Sequence, residues 1–233
     1  MKGIILSAGK GTRVTEVNEK LPKLLIPLAG KPMIVWNIEL CKKYGIEDIA
    51  INTHYMADKI KNYLGDGSQF GVKIKYSYEP NLLGTSGALS NFKDFFNESF
   101  VVISGDIISQ LNINKIKGFH KKHKSLATLV VHKTNHPEDS DIVQMNENNM
   151  ITKVIHKPGN TDFGDLGNAA FYIIEPKIFD YLPEGESDFI KDVFPKMIST
   201  RESLYGYKTD EFIKDAGTPL RIMEVDEYLK NIK

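Results

Sequence analysis

Along the first half of the chain, apolar runs of strand length alternate with stretches whose apolar positions recur at helical spacing. Positions 2–7 and 48–53 read as short buried strands, and 72–78 as a strand with alternating apolar positions. Between them, the pattern predicts a helix over 32–44, with Pro32 in its first turn and Gly45 after its end, and another over 56–64. Positions 86–96 look helical, and 100–104 form a buried strand that runs into Gly105-Asp106. Strands alternating with helices predict a parallel sheet with helical crossovers.

The second half changes rhythm. Segments 126–133, 142–145, 151–156 and 169–174 are strand-like with few helical residues between them, which predicts an antiparallel or mixed extension. Helices are expected over 189–199 and 219–232. No linker separates the halves. The expected organisation is one domain over 1–233, with a first lobe over about 1–125 and a second over about 126–233.

Composition narrows the function classes. Thirty acidic residues balance thirty basic ones, so no global field draws the chain to nucleic acid or an acidic membrane. The single cysteine, Cys41, excludes an internal disulfide and reads as a small core hydrophobe. No signal-peptide pattern and no apolar run of spanning length is present, so a soluble, cytoplasmic protein is expected. The basic run from His120 to Lys124 reads as a solvated helix end.

The chemistry begins where the first strand ends. Gly9-Lys10-Gly11-Thr12-Arg13 follows it directly, and Pro22-Lys23 comes ten residues later. Glycines let backbone N–H groups approach an anion closely, while Arg13 offers a planar fork and Lys23 a point charge. Arg13 is one of only three arginines in a chain with twenty-seven lysines. The spacing is not that of a Walker loop, since Lys10 is followed by Gly11, nor of a dinucleotide fingerprint, since its third glycine would fall at Val14. This is a loop suited to a polyphosphate.

Two carboxylates stand at comparable places. Asp106 follows the 100–104 strand, at the carboxyl end where open parallel sheets bind ligands. It can cap the next helix or hold a divalent ion against a phosphate. Asp215 lies in Ile213-Lys-Asp-Ala-Gly-Thr-Pro219, where Thr218 is placed to cap the last helix, leaving Asp215 for another task. Two carboxylates from distant segments can share one metal and its triphosphate.

With these motifs in place, the chain resembles the sugar-1-phosphate nucleotidyltransferases nearly end to end. The resemblance rests on Gly9-x-Gly-Thr-Arg13, Pro22-Lys23, Pro27 and Lys31-Pro-Met33. It is supported by Leu83-Gly-Thr-Ser-Gly-Ala-Leu89, Ser104-Gly-Asp106, Lys157-Pro158, Gly167-Asn-Ala169 and Asp215-Ala-Gly-Thr-Pro219. It implies an α/β fold, a Rossmann-like, mostly parallel mixed sheet flanked by helices with a small antiparallel sugar-binding lobe. It also implies that a nucleoside triphosphate and a sugar 1-phosphate react to give a nucleotide sugar and pyrophosphate. In that scheme Leu6, Ala8, Gly9, Gly11, Thr12, Gly84, Thr85 and Ser86 bind the nucleotide, and Arg13 and Lys23 act at the reacting phosphates. Asp106 and Asp215 hold Mg²⁺, Lys157 grips the sugar phosphate, and Asn168 contacts sugar hydroxyls. A homodimer is compatible with the resemblance.

Two departures bear on the sugar. His156-Lys-Pro158 stands where many members have Glu-Lys-Pro, and the 136–141 tract lacks the Tyr-Gly turn of hexose-specific members. The 136–141 tract resembles that of members acting on manno-configured sugar phosphates, mannose or heptose, with Asp141 a candidate sugar contact, while His156 either meets a different sugar hydroxyl or packs at the lobe surface. The Leu83–Leu89 loop resembles the guanylyl type, which favours GTP and keeps UTP, CTP and ATP open. Rival readings are a uridylyl- or cytidylyltransferase for another sugar, and a silent subunit that binds nucleotide sugars.

Overall fold

The computed structural model describes residues 1–9 and 21–232. They form two compact units that interleave along the chain. The first comprises Met1–Leu82, Ile103–Leu111 and Phe212–Lys233, and the second Leu83–Val102 and Asn112–Glu211. The chain therefore passes between units four times, whereas the change of rhythm in the sequence falls once, near residue 125.

In the first unit, Lys2–Leu6 pairs in parallel with Asp48–Thr53, which pairs in parallel with Lys73–Tyr78. All but the first residue of Asp48–Thr53 is buried, as expected for a strand covered on both faces. The helix Met33–Lys43 supplies one crossover. Pro32 precedes it, where proline's missing N–H costs nothing, and Gly45 at φ 72° follows its end. Cys41 lies in that helix, fully buried. A short antiparallel pair, Ile107–Ser109 with Ile213–Asp215, completes the unit beside the last helix, Pro219–Asn231.

The second unit is built differently. Leu166–Ile174 runs antiparallel to Ala127–Lys133, which pairs in parallel with Leu204–Lys208. Ile142–Met145 and Ile151–Ile155 form an antiparallel pair, and Ile142 registers with Gly167. The Leu166–Ile174 register breaks between Asn168 and Tyr172, where Ala170 takes a φ of 49°. A non-glycine residue at positive φ inside a bulge is the kind of local strain that recurs at binding sites.

Two expectations are corrected. His120 does not belong to a solvated end of the helix Ile113–His123. It is 2% exposed, with Nδ1 2.8 Å from Thr128 Oγ1 and Nε2 3.0 Å from Glu175 Oε1. Burial lowers its pKa against the opposing pull of Glu175. The 86–96 helix is also two pieces, a turn at Gly84–Gly87 and a 3₁₀ stretch at Ala88–Phe95 broken at Phe92. Among the described residues no helix is long and apolar enough to cross a membrane.

Candidate functional site

The residues expected at the site fall into two groups, one in each unit. Gly11, Thr12 and Arg13 lie outside the described residues.

In the first unit, the strand ends are tied together before any ligand is considered. Ser7 donates its N–H to Asn52 Oδ1 at 2.8 Å and its hydroxyl to the Asn52 carbonyl. Asn52 in turn donates through Nδ2 to Glu79 Oε1 at 2.8 Å. Leu6 and the buried Ala8 flank Ser7, and Gly9 is exposed with open space where a Cβ would stand.

Asp106 is set by its neighbour. Gly105 donates its N–H to the Leu6 carbonyl at 2.8 Å and accepts from Asn37 Nδ2 at 3.1 Å. A Cβ at Gly105 would come within 2.6 Å of the Leu6 oxygen and 2.7 Å of Leu24 Cδ1, so only glycine lets the turn pack this closely. The Asp106 carboxylate that follows accepts from Ser104 Oγ at 2.7 Å and from Lys23 Nζ at 2.5 Å. Burial pushes its pKa up, but the Lys23 charge and the two hydrogen bonds outweigh burial and hold it below the ordinary carboxyl value.

Asp215 reaches the same place from the other end of the chain. It registers opposite Ile107, and the next residue, Ala216, donates its N–H to the Asp106 carbonyl at 2.8 Å. Thr218 caps the last helix, its Oγ1 accepting from the Arg221 N–H at 3.3 Å. The Asp215 carboxylate takes Arg221 Nη1 at 2.8 and 2.9 Å and the Gly217 N–H at 3.0 Å. Among the described residues no three His, Cys, Asp or Glu side chains cluster as a closed metal cage. A carboxylate in the turn before one strand and another at the end of its partner suit Mg²⁺, which binds through one or two carboxylates plus substrate phosphates. Lys23 and Arg221 are ion-paired with those carboxylates.

The second unit gathers the remaining candidates. Asp141 Oδ1 lies 2.7 Å from His156 Nδ1, and the Asp141 carbonyl accepts the Asn168 N–H at 2.8 Å. Asn168 donates through Nδ2 to the Tyr172 hydroxyl at 2.9 Å, and its Oδ1 accepts the Ala170 N–H at 3.2 Å. Burial raises the Asp141 pKa, opposed by His156 and reinforced by the Asp188 charge. Lys157, at φ 36°, lies 3.9 Å from Asp139 Oδ1.

The Gly84–Ser86 segment also lies in this unit, and its side chains have protein partners. Thr85 Oγ1 donates to Asp188 Oδ2 at 2.7 Å and accepts the Phe189 N–H at 3.1 Å. Ser86 Oγ meets Ser187 Oγ at 2.8 Å, and a Cβ at Gly84 would lie 2.3 Å from the Ser187 carbonyl.

The nucleotidyl transferase family matches residues 2–231, nearly the whole chain. The chain belongs to the nucleotidyl transferase family. It is 33% identical over 93% of its length to a UTP–glucose-1-phosphate uridylyltransferase of Synechocystis. It is 32% identical over its full length to the mannose-1-phosphate guanylyltransferase catalytic subunit beta of Dictyostelium discoideum. It spans 60% and 66% of the lengths of those two proteins. A crystal structure from Bacillus anthracis, assigned as a glucose-1-phosphate thymidylyltransferase, superposes with a TM-score of 0.90 at 26% identity. That match covers 100% of this chain and 96% of the other.

Three parts of this nucleotidyltransferase escape a reading of its sequence. Arg221 is six residues beyond Asp215 and reaches back across a helix cap, a spacing with no periodic signature. Tyr172 sits four residues past Asn168, and only the bulge brings the two side chains together. Asp188 reads as an ordinary helix cap, accepting from Ile190 and Lys191, and nothing local points to Thr85.

Proposed function

We propose that this nucleotidyltransferase joins a nucleoside triphosphate to a sugar 1-phosphate, with GTP and a manno-configured sugar, mannose or heptose, as substrates. The observation that carries the reading is the Lys23–Asp106 pair in the turn before Ile107, with Asp215 registered opposite Ile107 and Ala216 bonded to the Asp106 carbonyl. A lysine and two carboxylates at strand ends are what phosphoryl transfer asks of a protein that works by positioning and charge.

In the proposed reaction an oxygen of the sugar phosphate attacks the α-phosphorus in line, and pyrophosphate leaves. Gly9 and Gly11 approach the triphosphate, and Arg13 neutralises the departing pyrophosphate. Lys23 turns from Asp106 to the α-phosphate and the incoming sugar phosphate. Asp106 and Asp215 would hold Mg²⁺, which when bound offsets charge on the phosphate oxygens. Lys157 takes the sugar phosphate, and Asn168, Asp141 and His156 meet sugar hydroxyls. The Gly84–Ser86 segment meets the nucleotide through the backbone of Gly84 and Thr85, because its hydroxyls and the Ser86 N–H are already engaged.

The choice of GTP rests on the likeness of the Leu83–Leu89 loop to guanylyl-type loops. The choice of sugar rests on the 136–141 tract, with His156 as a candidate contact. Relatives named for guanylyl, uridylyl and thymidylyl transfer all resemble the chain, so base and sugar are chosen by experiment. Pyrophosphate release is measured with Mg²⁺, crossing GTP, UTP, CTP, ATP and dTTP with hexose and heptose 1-phosphates. Release with GTP and a manno-configured sugar is expected. Release with another pair overturns the base or sugar assignment, and no release and no nucleotide binding by folded protein overturns the enzyme reading.

A further inference from the structure

One group in the second unit is left over by the proposed reaction. Asp188 touches neither the expected nucleotide contacts' backbone nor the sugar contacts directly, yet it connects both. On one side Thr85 Oγ1 donates to its Oδ2 at 2.7 Å. The same loop is laced to the Asp188 turn by Ser86 N–H and Gly87 N–H to the Ser187 carbonyl, at 3.1 and 3.3 Å, and by Ser187 N–H to the Leu83 carbonyl at 2.9 Å. Gly84 and Gly87 have no room for a Cβ against Ser187 and Gly185. These contacts seat the loop beside the turn, and the Thr85–Asp188 bond is the one that runs on into the helix cap.

On the other side Asp188 Oδ1 caps the helical stretch that starts at Phe189, accepting from Ile190 and Lys191 at 2.8 and 3.2 Å. The Phe189 ring packs edge-on against Tyr172 at 5.1 Å between centroids, and Phe194 does so at 5.3 Å. Tyr172 holds the Asn168 amide, and the Asn168 N–H holds the Asp141 carbonyl. The path from Thr85 to Asp141 thus runs through hydrogen bonds and packed rings without a gap.

We propose that Asp188 is a positioning residue that couples the nucleotide loop at Leu83–Gly87 to the sugar contacts Asn168 and Asp141. This rests on the function proposed above. A nucleotide that orders the loop orders the Asp188 turn and, through Tyr172, the bulge at Ala170. The sugar phosphate then binds a site whose ordering cost has already been met.

The test is calorimetric binding of mannose 1-phosphate to the full chain, with and without a GTP analogue carrying a methylene bridge between its α- and β-phosphates. Wild type should bind the sugar phosphate about fivefold or more tightly when the analogue is present. Asp188→Ala would also strip the helix of its cap, so Asp188→Ser is the informative variant. Serine caps a helix as aspartate does but is too short to reach Thr85. The Ser variant should bind each ligand alone within about twofold of wild type while the ratio falls to about one, and the isosteric Asp188→Asn should keep the ratio. In wild type, hydrogen exchange at Ala170 should slow when the analogue is added, and in Asp188→Ser it should not. Retention of the ratio by Asp188→Ser overturns the proposal, as does a wild type that binds both ligands with no ratio. Failure of folded wild type to bind either ligand overturns the function reading, and this coupling with it.

Discussion

Asp215 stands opposite Ile107 on an antiparallel pair, and the residue after it is hydrogen-bonded to the Asp106 carbonyl. Two carboxylates more than a hundred residues apart in sequence thereby stand at one end of a strand pair, Asp106 in the turn before Ile107 and Asp215 opposite it, each paired with a cation, Lys23 or Arg221. In the proposed reaction both cations would yield these carboxylates to Mg²⁺ and the triphosphate.

Lys23→Ala and Asp106→Ala should each slow pyrophosphate release by about 10²–10³, the cost of losing one preorganised charged contact. Far-ultraviolet circular dichroism should show both variants folded. Wild-type turnover in either folded variant removes that residue from the mechanism.

The Asp106 carboxyl is held below its ordinary pKa, so its pairing stabilises the fold above the unfolded value of 3.8, and that contribution is lost as pH falls through the folded value. In Lys23→Met the effect of burial is opposed only by the Ser104 and backbone hydrogen bonds. The acid-unfolding midpoint, followed by circular dichroism, should therefore move to higher pH. An unmoved midpoint would show that the pair does not stabilise the fold.

Gly105→Ala places a Cβ against the Leu6 carbonyl and Leu24. Overpacking of this sort costs about 1–3 kcal/mol. The melting temperature should fall, and turnover should fall with it because Asp106 loses its seat. A variant with wild-type melting and turnover would mean the turn tolerates a side chain.

Removing the Arg221 charge should leave Asp215 more available to a divalent ion. Arg221→Gln should lower the Mg²⁺ concentration that gives half-maximal activity, while Asp215→Asn should raise it. Identical Mg²⁺ titrations in wild type and both variants would exclude Asp215 from the metal site.

His156 pairs with Asp141 in the group expected to meet sugar hydroxyls. His156→Glu brings a second carboxylate to that pair and should redistribute kcat/KM across a panel of sugar 1-phosphates, with the KM for nucleotide unchanged. An unchanged sugar profile would assign His156 a packing role only.

Much of the fold could be read from residue order. The alternation of buried strands and helices in the first half, Pro32 and Gly45 around the first helix, and the Thr218 cap are local signals, and local signals set these elements. What could not be read depends on contacts distant in sequence. His120 sits in a basic run that looks solvated, and only the strands that pack on its helix bury it against Thr128 and Glu175. Nothing in the Gly84–Ser86 motif signals the Ser187–Asp188 turn a hundred residues later, against which Gly84 packs and to which both hydroxyls are bonded. Asp106 and Asp215 were visible as candidates because both follow apolar strands. Their cation partners were not, because ion pairs leave no period in the sequence.

The most direct test of the central claim follows the phosphorus and oxygen atoms themselves. The chain is incubated with Mg²⁺, GTP and mannose 1-phosphate carrying ¹⁸O in its phosphate, and the products are read by ³¹P nuclear magnetic resonance. Attack by the sugar phosphate on the α-phosphorus predicts a GDP-sugar that retains all of the label, bridging oxygen included, and unlabelled pyrophosphate. Label in pyrophosphate, or pyrophosphate formed equally well without the sugar phosphate, would contradict it.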